Sequence, residues 1–283
     1  MDGLDGKPDP DRLYYAKTSE ESAKDSKPPY QDVRLQGNVE GRFLFSTAIS
    51  HHVLPFALLD PSLVVLPLEE SNGVYYTMTT RTIRRKGYRE FAKWMEEAEE
   101  IWEKKRGAKT SHDLLQWLDY SGTLTSQSPV QLHLVLYNAS GTNVSATYID
   151  KHQVPTRFVV DHKLYWIAVR DVAEAHYLES ILNSDATNLA IKPFQSTGLL
   201  GERDIHKKLL DLPIPLFDFQ NAEHRKLSEL GSAAHRQAAT AIKDQNFPSG
   251  SSLARQRAFI RTALSETLAE IDALVRTLLG LEH

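Results

Sequence analysis

Two cationic stretches carry the residues whose types and spacing suit a chemistry. Arg81-Thr82-Ile83-Arg84-Arg85-Lys86-Gly87-Tyr88-Arg89 holds five cations and no acid, where a strand is expected to hand over to a Trp-rich helix. A loop or helix N-terminus there presents several donors to phosphates, and arginine forks also match the acceptor edge of guanine. The second stretch, Gly201-Glu202-Arg203-Asp204-Ile205-His206-Lys207-Lys208-Leu209-Leu210-Asp211-Leu212-Pro213-Ile214-Pro215, is a basic helical turn closed by Pro-x-Pro, with Lys192 and Gln195 nearby in sequence. Helical spacing puts positions 203, 206 and 207 on one face, where they would clamp a backbone phosphate. Leu209, Leu210 and Leu212 mark the opposite, core-facing side. For both stretches the competing reading is a solvated charge run beside ordinary core.

Other chemistries find little support. The chain has no cysteine, which excludes disulfides, thiolate zinc sites and cysteine nucleophiles and agrees with a cytoplasmic location. His51 and His52 are adjacent, so in a strand their rings point to opposite faces and share no metal. His152 and His162 bracket an expected strand, and nothing at ligand spacing completes a site around either. No metal ligand is therefore assigned. Gly-rich phosphate loops and nucleophile elbows are missing, and Asp113, Asp119, Asp161 and Glu174 read as caps, turns and surface groups. No catalytic residue is assigned.

The elements that must position these groups follow from composition and period. With 283 residues, 41% hydrophobic content and a net charge of −4, the chain buries one large core or two modest ones, and any polyanion must bind at a local patch. No apolar run is long enough to span a bilayer, and the acidic, Pro/Gly-containing start from Met1 to Pro10 is unlike a signal peptide. Residues 1–28 are expected as a mobile lead-in. Short strands follow from Val33 to Met78, with Asn72-Gly73 before Val74-Tyr75-Tyr76-Thr77 as a hairpin signal. Tyr88, Phe91, Trp94, Met95, Ala98, Ile101 and Trp102 then recur at helical spacing up to Gly107.

A shorter helix is expected over 112–118, capped by Ser111, and strands over 131–137, 143–149, 157–160 and 164–169. Asp171 and Glu174 have capping-box spacing for a helix running to about Ala190. Two longer helices, 221–245 and 251–279, read as a hairpin, the second with a seam of Leu264, Leu268, Ile271, Val275 and Leu278. The fold class is thus α+β: a β-rich domain with inserted amphipathic helices over 29–220, followed by a helical hairpin over 221–280. Leu281-Glu282-His283 reads as the start of a tag remnant, which would make the chain a piece of something longer.

An ordered set of stretches then resembles a known family. These are the run from Thr156 to Trp166, the helix from Glu174 to Ser184 ending in Leu-Asn-Ser, the basic turn Arg203-Asp204-Ile205-His206-Lys207-Lys208, and Leu212-Pro213-Ile214-Pro215. Leu124-Thr125-Ser126-Gln127 and Tyr137-Asn138-Ala139-Ser140-Gly141-Thr142 add to it. Together they resemble the C-terminal target-recognition domain of adenine-specific DNA methyltransferases of restriction-modification systems, with a TaqI-like specificity domain. The resemblance covers roughly Leu118 to Gly231.

It implies a module that holds double-stranded DNA against a separate catalytic methyltransferase domain, which binds S-adenosylmethionine and flips the target adenine. This chain departs from the full pattern. It has no cofactor-binding Gly-rich turn, and Lys27-Pro28-Pro29-Tyr30 has a donor-only lysine where the catalytic tetrapeptide needs an acceptor. No cofactor and no methyl transfer are therefore expected of this chain alone. Arg81, Arg84, Arg85, Lys86 and Arg89 form one expected DNA contact group. Lys163, Lys192, Gln195, Arg203, His206, Lys207 and Lys208 form the other. The alternative is an interaction subunit docking a catalytic partner, or self-associating, through the Trp94/Trp102 helix or the final seam; a nuclease with an unrecognised carboxylate site ranks last.

Overall fold

The computed structural model describes residues 7–195, 197–198, 201–202, 205, 209 and 211–281. Strands β1 (Leu13–Lys17), β2 (Gln36–Glu40), β3 (Leu44–Ala48), β4 (Val53–Leu54), β5 (Ala57–Leu58), β6 (Ser62–Val65), β7 (Leu68–Ser71) and β8 (Val74–Thr77) occupy the first part of the chain, with helix α1 (Glu20–Asp25) after β1. Helices α2 (Thr80–Arg85), α3 (Arg89–Lys105) and α4 (Leu114–Leu118) follow, then β9 (His133–Asn138), β10 (Ala146–Asp150), β11 (Arg157–Val160) and β12 (Leu164–Ala168). The rest comprises α5 (Val172–Asn183), α6 (Asp185–Ile191), the two-residue strands β13 (Thr197–Gly198) and β14 (Gly201–Glu202), and helices α7 (Ala222–Ala241), α8 (Leu253–Ala263) and α9 (Ser265–Leu278). The protein is α+β, as its mixed periodicities predict. No helix among the described residues is long and apolar enough to cross a membrane.

The chain divides into two compact units. The first holds the residues up to Thr47 with Ser62–Val130 and Val154–Val159. Its sheets are β1-β2, β11-β3-β6 and β7-β8. Asn72-Gly73 makes the two-residue turn between β7 and β8 with φ of 53° and 75°, the doubly positive geometry that Asn-Gly favours, and Ser71 faces Val74 across it. Helix α3 begins and ends close to where its period predicts, burying Phe91, Ala92, Met95 and Trp102 while its glutamates stay partly or fully exposed. Phe91 stacks on Phe43 at 3.8 Å between ring centroids, in a core that also holds Val39, Leu44, Met78 and Ile83.

Two expectations change in this unit. The lead-in is structured from Leu13, because Leu13–Lys17 pairs antiparallel with Gln36–Glu40 and buries Ala16, while the Ser19 hydroxyl caps α1. Averaging over the polar composition of 1–28 hides this short strand. The cap of α4 is Asp113 rather than Ser111, since Asp113 accepts from the Gln116 amide and Gln116 reciprocates.

The second unit holds Ala48–Pro61, Gln131–Gln153 and the chain from Val160 onward. Its main sheet is β10-β9-β12, both pairs antiparallel, and α5 packs against β9 and β10 on one side and along α7 on the other. The helix expected to run to Ala190 breaks at Ser184, which is extended (φ −67°, ψ 152°) and caps α6 by accepting from the Thr187 amide. Asp171 caps α5 as its spacing predicts, although Glu174 accepts from the Arg170 amide rather than from that of Asp171.

The last expected helix also breaks, at Leu264 (φ −103°, ψ 9°), so the hairpin is instead three helices, α7, α8 and α9. Leu264, Leu268, Ile271 and Val275 of the seam are buried with Tyr177, Leu227 and Ala234 in one core. That shared core places the C-terminal helices in the same unit as β9, β10 and β12, so the boundary expected at 220 does not separate compact bodies.

Gly231 of α7 sits at the crossing with α5. A Cβ there would lie 2.2 Å from the His176 carbonyl oxygen and 2.4 Å from the Ser180 hydroxyl. The close approach lets Ser180 donate to the Leu227 carbonyl at 2.9 Å and Ser228 donate to that of Ala173 at 2.8 Å.

Candidate functional site

The first cationic stretch is a short helix of its own rather than a loop. Thr79 caps α2 by accepting from the Thr82 amide at 3.3 Å, and Ile83, fully buried, fastens the helix to the core of the first unit. Gly87, at φ +94°, then turns the chain into α3, a conformation that L side chains rarely adopt. The anchoring leaves the cations outward but not equivalent. Arg84 pairs with Glu96, and Lys86 reaches Glu69 at 2.5 Å, where Tyr76 also donates at 2.8 Å.

Burial alone would raise the Glu69 carboxyl, but hydrogen bonds from Lys86 and Tyr76 hold it below the usual carboxylate range. Those two cations are largely spent on acids of their own unit. Arg81, Arg85 and Arg89 are exposed and have no acidic partner among the described residues. Arg81 and Arg85, four apart on α2, share a face.

Of the second group, Lys163, Lys192 and Gln195 lie among the described residues, all in the other unit. Lys163 is exposed in the turn between β11 and β12, where its amide donates to Asp161 at 2.9 Å. Lys192 is exposed just after α6. Gln195 was expected as a DNA contact and is instead buried, donating to the Gly141 carbonyl at 3.2 Å. Its amide pins the 139–142 turn, so it is removed from the contact group. Arg203, His206, Lys207 and Lys208 lie outside the described residues.

Lys27-Pro28-Pro29-Tyr30 does not fit a catalytic role toward a target amine. Tyr30 stacks on Trp102 at 5.9 Å, and the Pro29 carbonyl already accepts from the Lys105 ammonium at 2.9 Å. Lys27 is exposed and can only donate.

No protein-family model matches the chain, and no curated protein does.

A further cluster lies inside the second unit and escapes a linear reading. Glu179 of α5, wholly buried, accepts from the Tyr148 amide at 3.0 Å, from His176 Nδ1 at 3.0 Å and from His235 Nδ1 at 3.1 Å. Burial pushes its carboxyl up, but the hydrogen bond from His176 and the charge and hydrogen bond of His235 outweigh that and lower it. Burial likewise disfavours a charged His235, and Glu179 reverses this, raising the imidazole. His176 and Glu179, three apart, were visible as one helical face inside the Glu174–Ser184 stretch. His235 is 56 residues beyond Glu179 and comes from α7, so sequence spacing gave no signal for it.

The same helix face explains the Leu-Asn-Ser ending. Asn183 accepts from the Ala146 amide at 3.0 Å and donates to the carbonyls of Ala146 at 2.8 Å and Glu179 at 3.0 Å. Asn188 accepts from the Val144 amide at 2.7 Å. Thus Asn188, Asn183 and Glu179 take the outward N–H groups of residues 144, 146 and 148, the side of β10 that has no neighbouring strand. These side chains tie α5 and α6 to β10.

Proposed function

We propose that the chain is a duplex DNA recognition module of the target-recognition type, working with a separate catalytic domain that uses S-adenosylmethionine and itself transferring no methyl group. The observation that carries this reading is the cationic face of α2, where Arg81 and Arg85, with Arg89 beyond the turn, remain exposed while adjacent cations are paired with acids. Such a face holds phosphates, and its affinity falls with salt as counterions are retained by the free duplex. Lys163 and Lys192 offer further exposed cations on the second unit. The ordered stretches from Leu118 to Gly231 supply the kind of module; a cytoplasmic location belongs to the same proposal.

The test is fluorescence anisotropy of a labelled adenine-containing duplex across a salt series. The Arg81→Ala/Arg85→Ala double variant is expected to lower the slope of log affinity against log salt by about 1.8, at roughly 0.9 per phosphate contact. An unchanged slope in a folded variant removes α2 from the DNA face. Methyl transfer from S-adenosylmethionine to the duplex by this chain alone would overturn the non-catalytic part. The docking alternative loses much of its surface, since Trp102 and most of the final seam are buried within their own units.

A further inference from the structure

We propose that His176, Glu179 and His235 form a three-ligand site for a first-row divalent transition metal, zinc by its donor set, that ties α5 to α7. The inference is independent of DNA binding. His176 and Glu179 project from one face of α5, His235 reaches them from α7, and one ligating atom of each lies within 4.8 Å of the other two.

The spacing suits a tetrahedral ion. The two histidine nitrogens stand 3.0 and 3.1 Å from the two carboxylate oxygens. With metal–ligand bonds of about 2.0 Å, neighbouring ligands of a tetrahedron lie about 3.3 Å apart, so a cation is held once the widest separation in the cluster, no more than 4.8 Å, closes toward that value. Each Nδ1 binds the metal through its lone pair once its proton has left, to water or to Nε2 of the same ring.

Chemistry and surroundings favour the same ion. Two imidazole nitrogens and one carboxylate oxygen, with no thiolate, select a borderline cation over calcium or magnesium, which prefer all-oxygen shells. A wholly buried carboxylate requires nearby positive charge, which the His235 imidazole gives it and which a divalent ion would give in its place. The Tyr148 amide, donating to Glu179, orients the carboxylate as outer-shell partners of metal ligands do. The His235 side chain is 30% exposed, which leaves a path for the ion and a fourth position for water.

The experiment titrates the chelator-treated full chain with zinc by calorimetry near neutral pH, and with cobalt(II) by visible absorption. One equivalent of zinc, intense tetrahedral cobalt bands and a zinc-dependent rise in Tm are expected. His235→Gln should weaken zinc by at least 100-fold, beyond the range seen for outer-shell partners, and abolish the Tm rise. Glu179→Gln is expected to do the same; because it alters a buried group, the partly exposed His235 variant decides if the former fails to fold. Absence of saturable uptake by the unsubstituted chain, or uptake undiminished in folded His235→Gln, overturns the site.

Discussion

Replacing Asn183 by Asp changes one buried atom from a donor to an acceptor while keeping the side-chain shape. The Ala146 amide still finds an oxygen, but the two bonds that Asn183 donates, at 2.8 Å to the Ala146 carbonyl and 3.0 Å to the Glu179 carbonyl, become oxygen facing oxygen. The Ala146 carbonyl keeps the Phe56 amide at 2.9 Å, so the cost is that of two lost hydrogen bonds at about 1 kcal/mol each, roughly 2 kcal/mol, plus oxygen–oxygen repulsion while the new carboxyl stays ionised. Protonation restores one donor, so the loss is smaller in acid and grows as pH rises. The assay is urea unfolding followed by far-UV circular dichroism, with hydrogen exchange of the segment 144–150 as the local readout. Asn143→Asp, at an exposed neighbour, is the control and should change stability by less than about 0.5 kcal/mol. A loss below about 1 kcal/mol for Asn183→Asp, with exchange at Ala146 unaltered, would falsify the account of how α5 holds β10.

Two further predictions concern packing and burial. Gly231→Ala gains helix propensity of about 1 kcal/mol, yet its Cβ meets a backbone carbonyl at 2.2 Å that no rotamer change relieves. A net loss of about 2 kcal/mol is expected, read as a lower urea midpoint; a midpoint equal to or above that of the unsubstituted protein refutes the tight crossing. Burial pushes the Lys151 ammonium down to about 8 from 10.5, so the unfolded chain holds its proton more tightly. The resulting destabilisation is complete below about pH 8 and is relieved as pH rises from there toward 10.5. Lys151→Met should therefore stabilise the protein by about 1–2 kcal/mol at neutral pH, allowing for partial exposure, and flatten the alkaline rise; equal pH profiles for both proteins contradict the burial effect.

What could be read from the sequence depended on how local its cause was. The turn at Asn72-Gly73 and helix α3 rest on neighbours within a few residues, and both stand where their signals place them. The breaks at Ser184 and Leu264 interrupt apolar stripes that continue across them, so periodicity alone joins α5 to α6 and α8 to α9. Ser184 carried a capping signal in its side chain, but the stronger stripe around it masked that signal. Among the cations, charge and spacing could not tell Arg84 and Lys86 from Arg81 and Arg85. The difference is made by Glu96 on α3 and Glu69 on β7, partners 12 and 17 residues away. The histidine–carboxylate cluster depends on α7 crossing α5 at Gly231, a tertiary fact with no counterpart in residue spacing.

The way β10 is finished also bears on how readily a second chain could extend this sheet. Unpaired N–H groups along a strand are a template on which a second chain can add its own strand. Here a row of helix-borne amide and carboxylate side chains occupies those groups at Val144, Ala146 and Tyr148, so the sheet stops growing after three strands with no proline in β10 to enforce it. Protection against fibre-like assembly is thereby tied to the docking of α5 and α6, and any substitution that loosens those helices uncovers a sticky rim as well as weakening the fold.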